Sequence, residues 1–387
     1  MKIAYVHSGL WPSSSPSMTF ATFNAIGLAH RATCCYFFIR RNSSMTADAV
    51  LEQEFHVKRP DNLIVYQGPR KTFFIPHRLY FRYVYNQLVK FVKQEELDAV
   101  ISRSTQFLPF LTKICQKHNL PAIYETHDFY ADLSRRDDKI TTSKRRNSKY
   151  ERLYIPRISA VVCLQNHQKD LYREVFPDQK FLVARTGLHK ITRGTYVNSA
   201  TIAYIGSFDK HKGVGVLLRA AALSKSQPEV VIIGGKNKKE KAECQQIASD
   251  VYHREKVIIT GWLNKKDFHH HLSHVRVGII PLQSTFFNRY ITSPLKLFDF
   301  YSYGIPVICS DLPTMRELVV EKETGLFFQP TDAHDLAEKI DILLQDKELY
   351  KTMKKNIYEA AEHYLWERRA EQFIDFVKIS KEVCSRR

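Results

Sequence analysis

The chain has 387 residues, of which 44% are hydrophobic, so it has the composition of a folded protein and is too long for one ordinary core. Two domains are expected, and the sequence has no run of about 18 apolar residues that would predict a transmembrane helix. Its seven cysteines form no CxxC pair, which argues against a disulfide framework and against a zinc site. The beginning, MKIAYVHSG, enters a strand-like run without the apolar core of a signal peptide, so a cytoplasmic location is expected.

The charge of the chain is strongly basic and unevenly distributed. The net charge is +18, and residues 1–190 contribute +13 of it, from 29 basic and 16 acidic residues. An excess of this size favours an anionic partner, either a membrane surface or nucleic acid. No helix-turn-helix, zinc-finger or RNA-platform motif supports nucleic acid, which is therefore not expected as a partner.

Short apolar runs, interpreted as β-strands, alternate with helical stretches along almost the whole chain. The predicted strands are Lys2–Val6, Thr33–Ile39, Leu63–Tyr66, Ala99–Ile101, Ala122–Tyr124, Ala160–Cys163, Lys180–Val183, Ile202–Gly206, Val230–Ile233, Val257–Thr260, Val277–Ile280 and Ile305–Cys309. Predicted helices include Val214–Ser224, Lys239–Tyr252 and Lys265–Val275. This alternation predicts an α/β fold with parallel sheets covered on both faces, whose ligands bind beyond the carboxyl ends of the strands.

The alternating pattern starts again near residue 200. Residues 189–200 are polar and weakly patterned, as in a linker, and the strand TIAYIG that follows resembles the opening KIAYV. We therefore predict two nucleotide-binding folds that face each other across a cleft.

The segment SPLKLFDFYSYGIPVI, residues 293–308, predicts a helix that begins at an anion-binding N-terminus and leads into a buried strand. Ser293 is a suitable N-cap, and Pro294 suits the first helical position, which needs no N–H donor. The free amides of such a helix start bind phosphate, and the helix dipole disfavours Lys296 in the first turn unless an anion lies nearby. Asp299, one turn later, is within reach of a ribose or sugar hydroxyl. An ordinary capped helix with a solvated lysine fits the segment equally well.

Several segments, taken in order, resemble the retaining glycosyltransferases of family 4, which have the two-Rossmann-domain fold called GT-B. In the second half they are AYIGSFDKHKGVGVLLRA, EVVIIGG, VIITGWLNKKDF, SPLKLFDFYSYGIPVICSDLPTMRELV and ETGLFFQPTDAHDLAEKI. In the first half PAIYETHDFY resembles a strand of the acceptor domain, and the tail resembles a final helix that crosses back to that domain. The resemblance implies an N-terminal acceptor-binding domain, residues 1–190 with helix 366–387 packed on it, and a nucleotide-sugar-binding domain, residues 200–365.

The resemblance also assigns roles to residues of the second domain. Lys212 matches the diphosphate-binding lysine of the family, and Asp299 matches the acid that holds the nucleotide ribose. The family has an arginine five residues before this lysine, where the chain has Ser207. The missing phosphate contact would then come from elsewhere, such as Lys210 or Arg289, which lies in a segment predicted as a loop.

The predicted helix start supplies the other implied donor contacts, which are Ser293, Pro294, Leu295 and Lys296. The first of the two acids of the family contacts hydroxyls of the donor sugar, and Ile291 stands at its position. This departure leaves the donor sugar undetermined and leaves open that catalysis has been altered or lost.

In the first domain, His127 matches the histidine that lies beside the donor sugar, although a capping histidine in a turn is the alternative. Gly9, in HSGLW, matches a glycine loop whose amides approach the diphosphate. Arg103 and Glu125 are expected at strand ends on the same side. They could contact the acceptor or the donor, and they could equally form a structural ion pair.

Two basic segments could explain the charge of the first domain. Residues 70–93 combine Arg and Lys with aromatic residues in an amphipathic pattern that suits an anionic bilayer, although a core-facing helix with a basic solvent face fits nearly as well. Residues 135–149 are expected to form a mobile basic loop near the acceptor side. We therefore expect a protein that is peripheral on the inner face of the membrane.

The resemblance implies a retaining hexosyltransferase that moves a sugar from a nucleotide-diphosphate sugar to a glycan or lipid-linked acceptor, in bacterial cell-surface polysaccharide or lipopolysaccharide synthesis. Its candidate catalytic residues are His127, Lys212 and Asp299. The family needs no metal, no cofactor is expected, and the sequence shows no His, Asp or Cys cluster with convincing ligand spacing. The alternatives are a nucleotide-sugar epimerase or hydrolase on the same fold, and a non-catalytic protein that binds membrane or nucleic acid.

Overall fold

The computed structural model describes residues 1–13, 15–68, 77–194, 199–209, 212–235 and 238–384. Within them the chain divides into two compact units, of which the first is Met1–Thr186 with Trp366–Arg387 and the second is Gly187–Leu365. Each unit is built on one β-sheet in which all neighbouring strands are parallel. The predicted α/β class is therefore confirmed, with one sheet in each unit.

The elements are numbered along the whole chain. The strands of the first unit are β1 (Lys2–Trp11), β2 (Cys34–Arg41), β3 (Leu63–Gln67), β4 (Ala99–Ser102), β5 (Ala122–Glu125), β6 (Ala160–Cys163) and β7 (Phe181–Val183). Its helices are α1 (Pro16–Arg31), α2 (Ala47–Gln53), α3 (His77–Lys93), α4 (Leu108–His118), α5 (Thr142–Tyr154), α6 (Asn166–Val175) and α15 (Trp366–Cys384).

The strands of the first unit lie in the order β3-β2-β1-β4-β5-β6-β7. Strands β4, β5 and β6 are buried along their whole length, as expected for short apolar runs in a parallel sheet covered on both faces. The connections run in opposite directions on either side of β1 and β4, which are neighbours. Open parallel sheets bind ligands at such a switch point, beyond the carboxyl ends of the strands.

Helix α15 lies in the first unit and packs against α1. The two helices approach closely at Gly27, where a Cβ atom would lie 2.6 Å from the carbonyl oxygen of Trp366. The rings of Phe20 and Trp366 meet edge to face, with centroids 5.0 Å apart. Only glycine allows this approach, so Gly27 fixes where the C-terminal helix joins the core of the first unit.

The second unit repeats the same scheme. Its strands are β8 (Thr201–Ile205), β9 (Glu229–Ile233), β10 (Val257–Gly261), β11 (Val277–Ile280), β12 (Val307–Ser310) and β13 (Gly325–Phe328). Its helices are α7 (Val214–Leu223), α8 (Lys238–Val251), α9 (Lys265–Leu272), α10 (Phe286–Tyr290), α11 (Leu295–Ser302), α12 (Pro313–Arg316), α13 (Ala333–Gln345) and α14 (Lys347–His363). The strand order is β10-β9-β8-β11-β12-β13, so the switch point lies between β8 and β11.

The fold corrects several local expectations. Residues 286–292, predicted as a loop, contain α10, whose N-cap Thr285 accepts a bond from the Asn288 amide. Helix α11 begins one residue later than predicted, with Pro294 as the N-cap, which is within the usual uncertainty of a helix end. The short strand β13, of sequence GLFF, was not predicted as a strand.

Residues 135–149 are not a free loop either. Most of the segment lies in α5 and in the turn before it, where Arg136 donates to Asp128 over 2.6 Å and to Asp138 over 2.7 Å. Lys144 donates to the other oxygen of Asp138 over 2.6 Å. These ion pairs use part of the basic charge inside the fold, so the segment is an ordered part of the first unit.

Candidate functional site

Two histidines and an arginine lie near the switch point of the first sheet. His7 follows the part of β1 that pairs with β4, where Val6 is opposite Ser102, and Arg103 follows β4 directly. His127 comes just after β5, the next strand of the sheet. The charge of Arg103 lowers the pKa of both histidines, which indicates that the three side chains are close neighbours.

Arg103 is a buried cation with unused hydrogen-bond donors. Its side chain is only 7% exposed, and its guanidinium carbon lies 3.6 Å from the centroid of the Phe20 ring. Within the described ranges its Nε and Nη1 atoms have no hydrogen-bond partner. Burial lowers the pKa of Arg103, and the negative charge of Glu125 opposes this change. Buried donors without acceptors are costly, so Arg103 is well suited to meet a ligand oxygen.

Both histidines are neutral at physiological pH. Burial, followed by the charge of Arg103, lowers the pKa of His7 to about 3 and that of His127 to about 4. The Gly9 amide donates to Nδ1 of His7 over 2.7 Å, so Nε2 carries the proton that it donates to the Ser17 hydroxyl over 3.0 Å. This bond corrects the expectation for Gly9, which lies within β1 and uses its amide on His7. Nδ1 of His127 has no partner in the part of the chain that the structure describes.

Glu125 forms a structural ion pair, which decides between the two roles left open by the sequence. Its side chain is fully buried, and Arg369 of α15 donates to one of its oxygens. The Tyr5 hydroxyl donates to the other oxygen over 2.7 Å. Arg369 also donates to the side chain of Asn24. With both oxygens occupied, Glu125 fixes the end of β5 rather than contacting a ligand.

The second sheet places Lys212 at its own switch point. The chain leaves β8 after Ile205 and reaches Gly213, the N-cap of α7, which has a φ of 73°. A Cβ atom at Gly213 would lie 1.8 Å from the carbonyl oxygen of Pro281, directly after β11, so only glycine fits. Lys212 is half-buried and immediately precedes this contact. The alternative phosphate contact, Lys210, lies outside the described residues.

Lys296 is a buried basic residue of the second unit, which contradicts the interpretation of a solvated lysine. It is 8% exposed, and its Nζ lies 3.8 Å from the centroid of the Tyr204 ring. Nζ has no hydrogen-bond partner among the described residues, and a Cβ atom at Gly206 would lie 3.2 Å from it. Burial lowers the pKa of Lys296 well below its usual value, and the charge of Lys212 lowers it further. The two lysines are therefore near each other at one sheet edge.

Asp299 lies one turn along α11 from Lys296. Burial raises the pKa of its carboxyl group to about 7, and the charge of Lys296 opposes this rise. Since Asp299 is only partly enclosed, its carboxylate remains able to accept hydroxyl groups. Ile291 is fully buried and presents no polar group, so the position of the first family acid is a packing position here.

Ser207 and Arg289 make local contacts. The Ser207 carbonyl accepts a bond from the Tyr204 hydroxyl over 2.7 Å, and its own hydroxyl donates to Asp209 over 2.7 Å. Arg289 lies in α10, and its guanidinium carbon is 5.6 Å from the centroid of the Tyr290 ring. Of the predicted donor contacts, Lys212, Lys296 and Asp299 thus form one neighbourhood.

The sequence analysis missed His7 and Tyr204. His7 directly follows the opening strand KIAYV, which alone could have indicated a residue at a sheet edge. Tyr204 lies inside a strand and showed no functional pattern, and only the fold places its ring under the Lys296 ammonium.

The fold and these two clusters define a protein with two Rossmann-like domains, each presenting buried cations at the ligand-binding edge of its sheet. Residues 190–360 match the family model described as "Glycosyl transferases group 1". The second unit is therefore similar to the glycosyl transferases of group 1, in agreement with the resemblance found in the sequence.

The chain is also similar to known proteins over larger parts of its length. It is 25% identical to the putative teichuronic acid biosynthesis glycosyltransferase TuaH of Bacillus subtilis over 259 residues, which are 61% of this chain and 62% of that protein. It is 25% identical over 154 residues, 40% of this chain, to the N,N'-diacetylbacillosaminyl-diphospho-undecaprenol alpha-1,3-N-acetylgalactosaminyltransferase of Campylobacter jejuni, covering 38% of that protein. The chain spans less than two thirds of the length of the curated relatives it matches.

The fold is confirmed by a solved structure, that of HepE from Anabaena in complex with UDP and glucose. The two have a TM-score of 0.71 and 14% sequence identity, over 98% of this chain and 99% of that one. At this identity the likeness concerns the fold alone, and that fold is GT-B.

Two features are absent from the residues that the structure describes. No group of three or more His, Cys, Asp or Glu side chains there could hold a metal ion. No helix in the same ranges has the length and apolar character needed to cross a membrane.

Proposed function

We propose that the protein is a glycosyltransferase that moves a sugar from a nucleoside-diphosphate sugar to a hydroxyl group of a glycan or lipid-linked acceptor. The observation that carries the proposal is the buried ammonium of Lys296, which lies beside Lys212 at the switch point and lacks a hydrogen-bond partner among the described residues. A diphosphate there would supply both the missing acceptor atoms and the opposite charge. The match to glycosyl transferases group 1 supports the same conclusion.

Each residue of the cluster would have a defined task. Lys212 and Lys296 would stabilise the negative charge that grows on the leaving diphosphate, the work that a metal ion does in other enzymes. Asp299 would accept the ribose hydroxyls. In the first unit, neutral His127 would exchange hydrogen bonds with a sugar hydroxyl. With a pKa of about 4, His127 is a weak base at neutral pH. The acceptor proton would therefore pass to the leaving phosphate, in a metal-independent transfer that retains the anomeric configuration.

We further propose a place in bacterial cell-surface polysaccharide synthesis, on the inner face of the membrane. The names of two relatives refer to teichuronic acid biosynthesis and to an undecaprenol-linked acceptor, which supports this setting. Residues 70–76 of the predicted docking segment lie outside the described residues, and α3 begins after them. In α3, Phe81 and Leu88 belong to the core and cannot insert into a bilayer, whereas Arg82 and Lys90 are exposed. Contact with anionic lipid would thus be electrostatic and would weaken with added salt.

The test is a panel of nucleotide sugars in a thermal-shift assay, followed by turnover of the best binder with and without EDTA. We expect turnover to survive EDTA. In Lys212→Ala it should fall by a factor of about 100 or more, because the variant lacks one donor that stabilises the negative charge developing in the transition state. Lys225→Ala, an exposed lysine of the same unit, is the control and should keep full activity. Turnover of donor without acceptor would indicate an epimerase or hydrolase, and binding without turnover a non-catalytic protein.

A further inference from the structure

A basic and aromatic pocket lies in the first unit, apart from the histidine cluster. Its cavity measures about 790 Å³, and residues of α3, α4 and α5 line it. We call it the α3–α5 pocket. Three cations line it, Arg78 from α3, Lys113 from α4 and Arg146 from α5. Nothing in the roles described above uses this pocket.

The three cations of the α3–α5 pocket have no carboxylate partner in the described part of the chain. Helices α3 and α4 contain no acidic residue, and the acid of α5, Glu151, is fully buried and turned to the interior. There Glu151 accepts hydrogen bonds from the Tyr172 hydroxyl and the Tyr130 amide, over 2.7 Å and 2.9 Å. The positive potential of the pocket is therefore uncompensated by the protein, which favours an anionic ligand.

The pocket also has an apolar character that a free phosphate would not need. Phe81, Phe110 and Tyr150 line it together with the cations. Two leucines next in sequence to lining residues are exposed, Leu79 at 54% and Leu153 at 47%. A ligand that joins an anionic group to a hydrocarbon chain would satisfy both parts of this surface.

The pocket is joined to the histidine cluster by short stretches of chain and direct contacts. Gln106 lines the pocket and follows Arg103 by three residues. Phe81 packs on Phe107, with ring centroids 5.3 Å apart. Its neighbour Tyr80 donates a hydrogen bond to the His7 carbonyl over 3.1 Å. The α3–α5 pocket and the histidine cluster are thus linked through the packed interior of the first unit.

We propose that the α3–α5 pocket binds the diphosphate of a lipid-linked acceptor, with the first part of its hydrocarbon chain along the aromatic wall. This inference rests on the proposed function and specifies its acceptor class. Three positive side chains match the charge of a diphosphate ester without a metal ion. The glycan end of such an acceptor would extend from the pocket toward Arg103 and His127.

Calorimetry with farnesyl diphosphate as the probe tests the inference without any sugar donor. The pocket variant is Lys113→Gln with Arg146→Gln, and the control is Lys117→Gln with Arg145→Gln. The control removes the same charge from exposed positions of the same two helices, outside the pocket lining. We expect the pocket variant to bind the probe at least about tenfold more weakly, because it loses two charge-assisted contacts to the diphosphate. The control should stay within about twofold of the wild type, because Lys117 and Arg145 do not line the pocket.

Three results would overturn the inference. Equal losses in both variants would indicate a response to overall charge, and inorganic pyrophosphate binding as tightly as the probe would remove the lipid from the proposal. The third result is that both variants bind vesicles of phosphatidylcholine and phosphatidylglycerol more weakly while their affinity for the probe is unchanged. That result would make the pocket a contact with the bilayer. Melting curves verify that the variants fold, and a parallel UDP titration shows separately whether the donor site of the proposed function exists.

Discussion

The buried lysine of the second unit predicts that stability and donor binding oppose each other. Replacing Lys296 by methionine keeps a straight side chain of similar volume above the Tyr204 ring and removes the ammonium. Because that ammonium is buried and lacks a hydrogen-bond partner among the described residues, the free protein should become more stable. Because the same ammonium would meet the diphosphate, binding of UDP should weaken.

The magnitude of both effects follows from the environment of Lys296. A buried hydrogen-bond donor without a partner, as Nζ of Lys296 is among the described residues, costs about 1–3 kcal/mol. The net gain from Lys296→Met should therefore be about 1–3 kcal/mol, or roughly 2–4 °C per kcal/mol in the melting temperature of a unit of this size. Loss of one charged contact should weaken UDP binding about 10- to 100-fold.

The sign of the pH dependence gives a further check on Lys296. Burial lowers the pKa of Lys296 in the folded state. Between this lowered pKa and the ordinary pKa of lysine, the unfolded chain therefore holds a proton that the folded protein has lost. The wild type should then gain stability as pH rises toward 10, and the advantage of Lys296→Met should shrink. Thermal melts across this range and UDP calorimetry are the assays, with Lys355→Met, an exposed lysine of the same unit, as the control. A Lys296→Met protein that is less stable than wild type, or that binds UDP equally well, refutes the reasoning.

Three further predictions concern carboxyl groups. Glu125→Gln should lower the free energy of unfolding by about 3–5 kcal/mol in urea titrations, because it leaves Arg369 buried without its counter-charge. The control is Asp375→Asn, which breaks an exposed ion pair with Lys378 and should cost less than about 1 kcal/mol. With its pKa near 7, Asp299 should make UDP affinity fall as pH drops below 7, and Asp299→Asn should abolish this dependence in calorimetry. Burial raises the pKa of Glu151 to about 8, so stability should fall as pH rises from about 4.5 to 8, and melts of Glu151→Gln should show a flatter profile.

The fold could be predicted from the sequence because its strands carry their own signal. Each strand of a covered parallel sheet must be apolar on both faces, so runs such as Ala160–Cys163 stand out between polar helices and turns. The signal fails where an apolar run is so short that its secondary structure depends on the strands beside it, as in GLFF of β13. It also fails for α5, because a charged segment looks mobile until the ion pairs of Arg136 and Asp138 are known.

The candidate site was predictable where a residue is tied to a motif, and unpredictable where it depends on distant contacts. Lys212 and Asp299 were predicted from the resemblance to family motifs and Lys296 from its place at a helix start, and the structure brings the three together. The sequence could not separate the two roles of Glu125, because its partner Arg369 lies 244 residues away. Nor could it show that Lys296 is buried, since the ring beneath it belongs to another strand.

Two arginines of the first unit show how the partners of a buried charge distinguish structure from function. Arg369 and Arg103 are both almost fully buried, and both contact the ring of Phe20. The fold surrounds Arg369 with acceptors from Glu125 and Asn24 and from main-chain carbonyls, so its charge is compensated by the protein itself. Within the described ranges, two nitrogen atoms of Arg103 have no acceptor, which costs free energy in the absence of a ligand. The same asymmetry holds for Lys296, so in each unit an incompletely satisfied buried cation lies at the switch point where parallel sheets bind ligands.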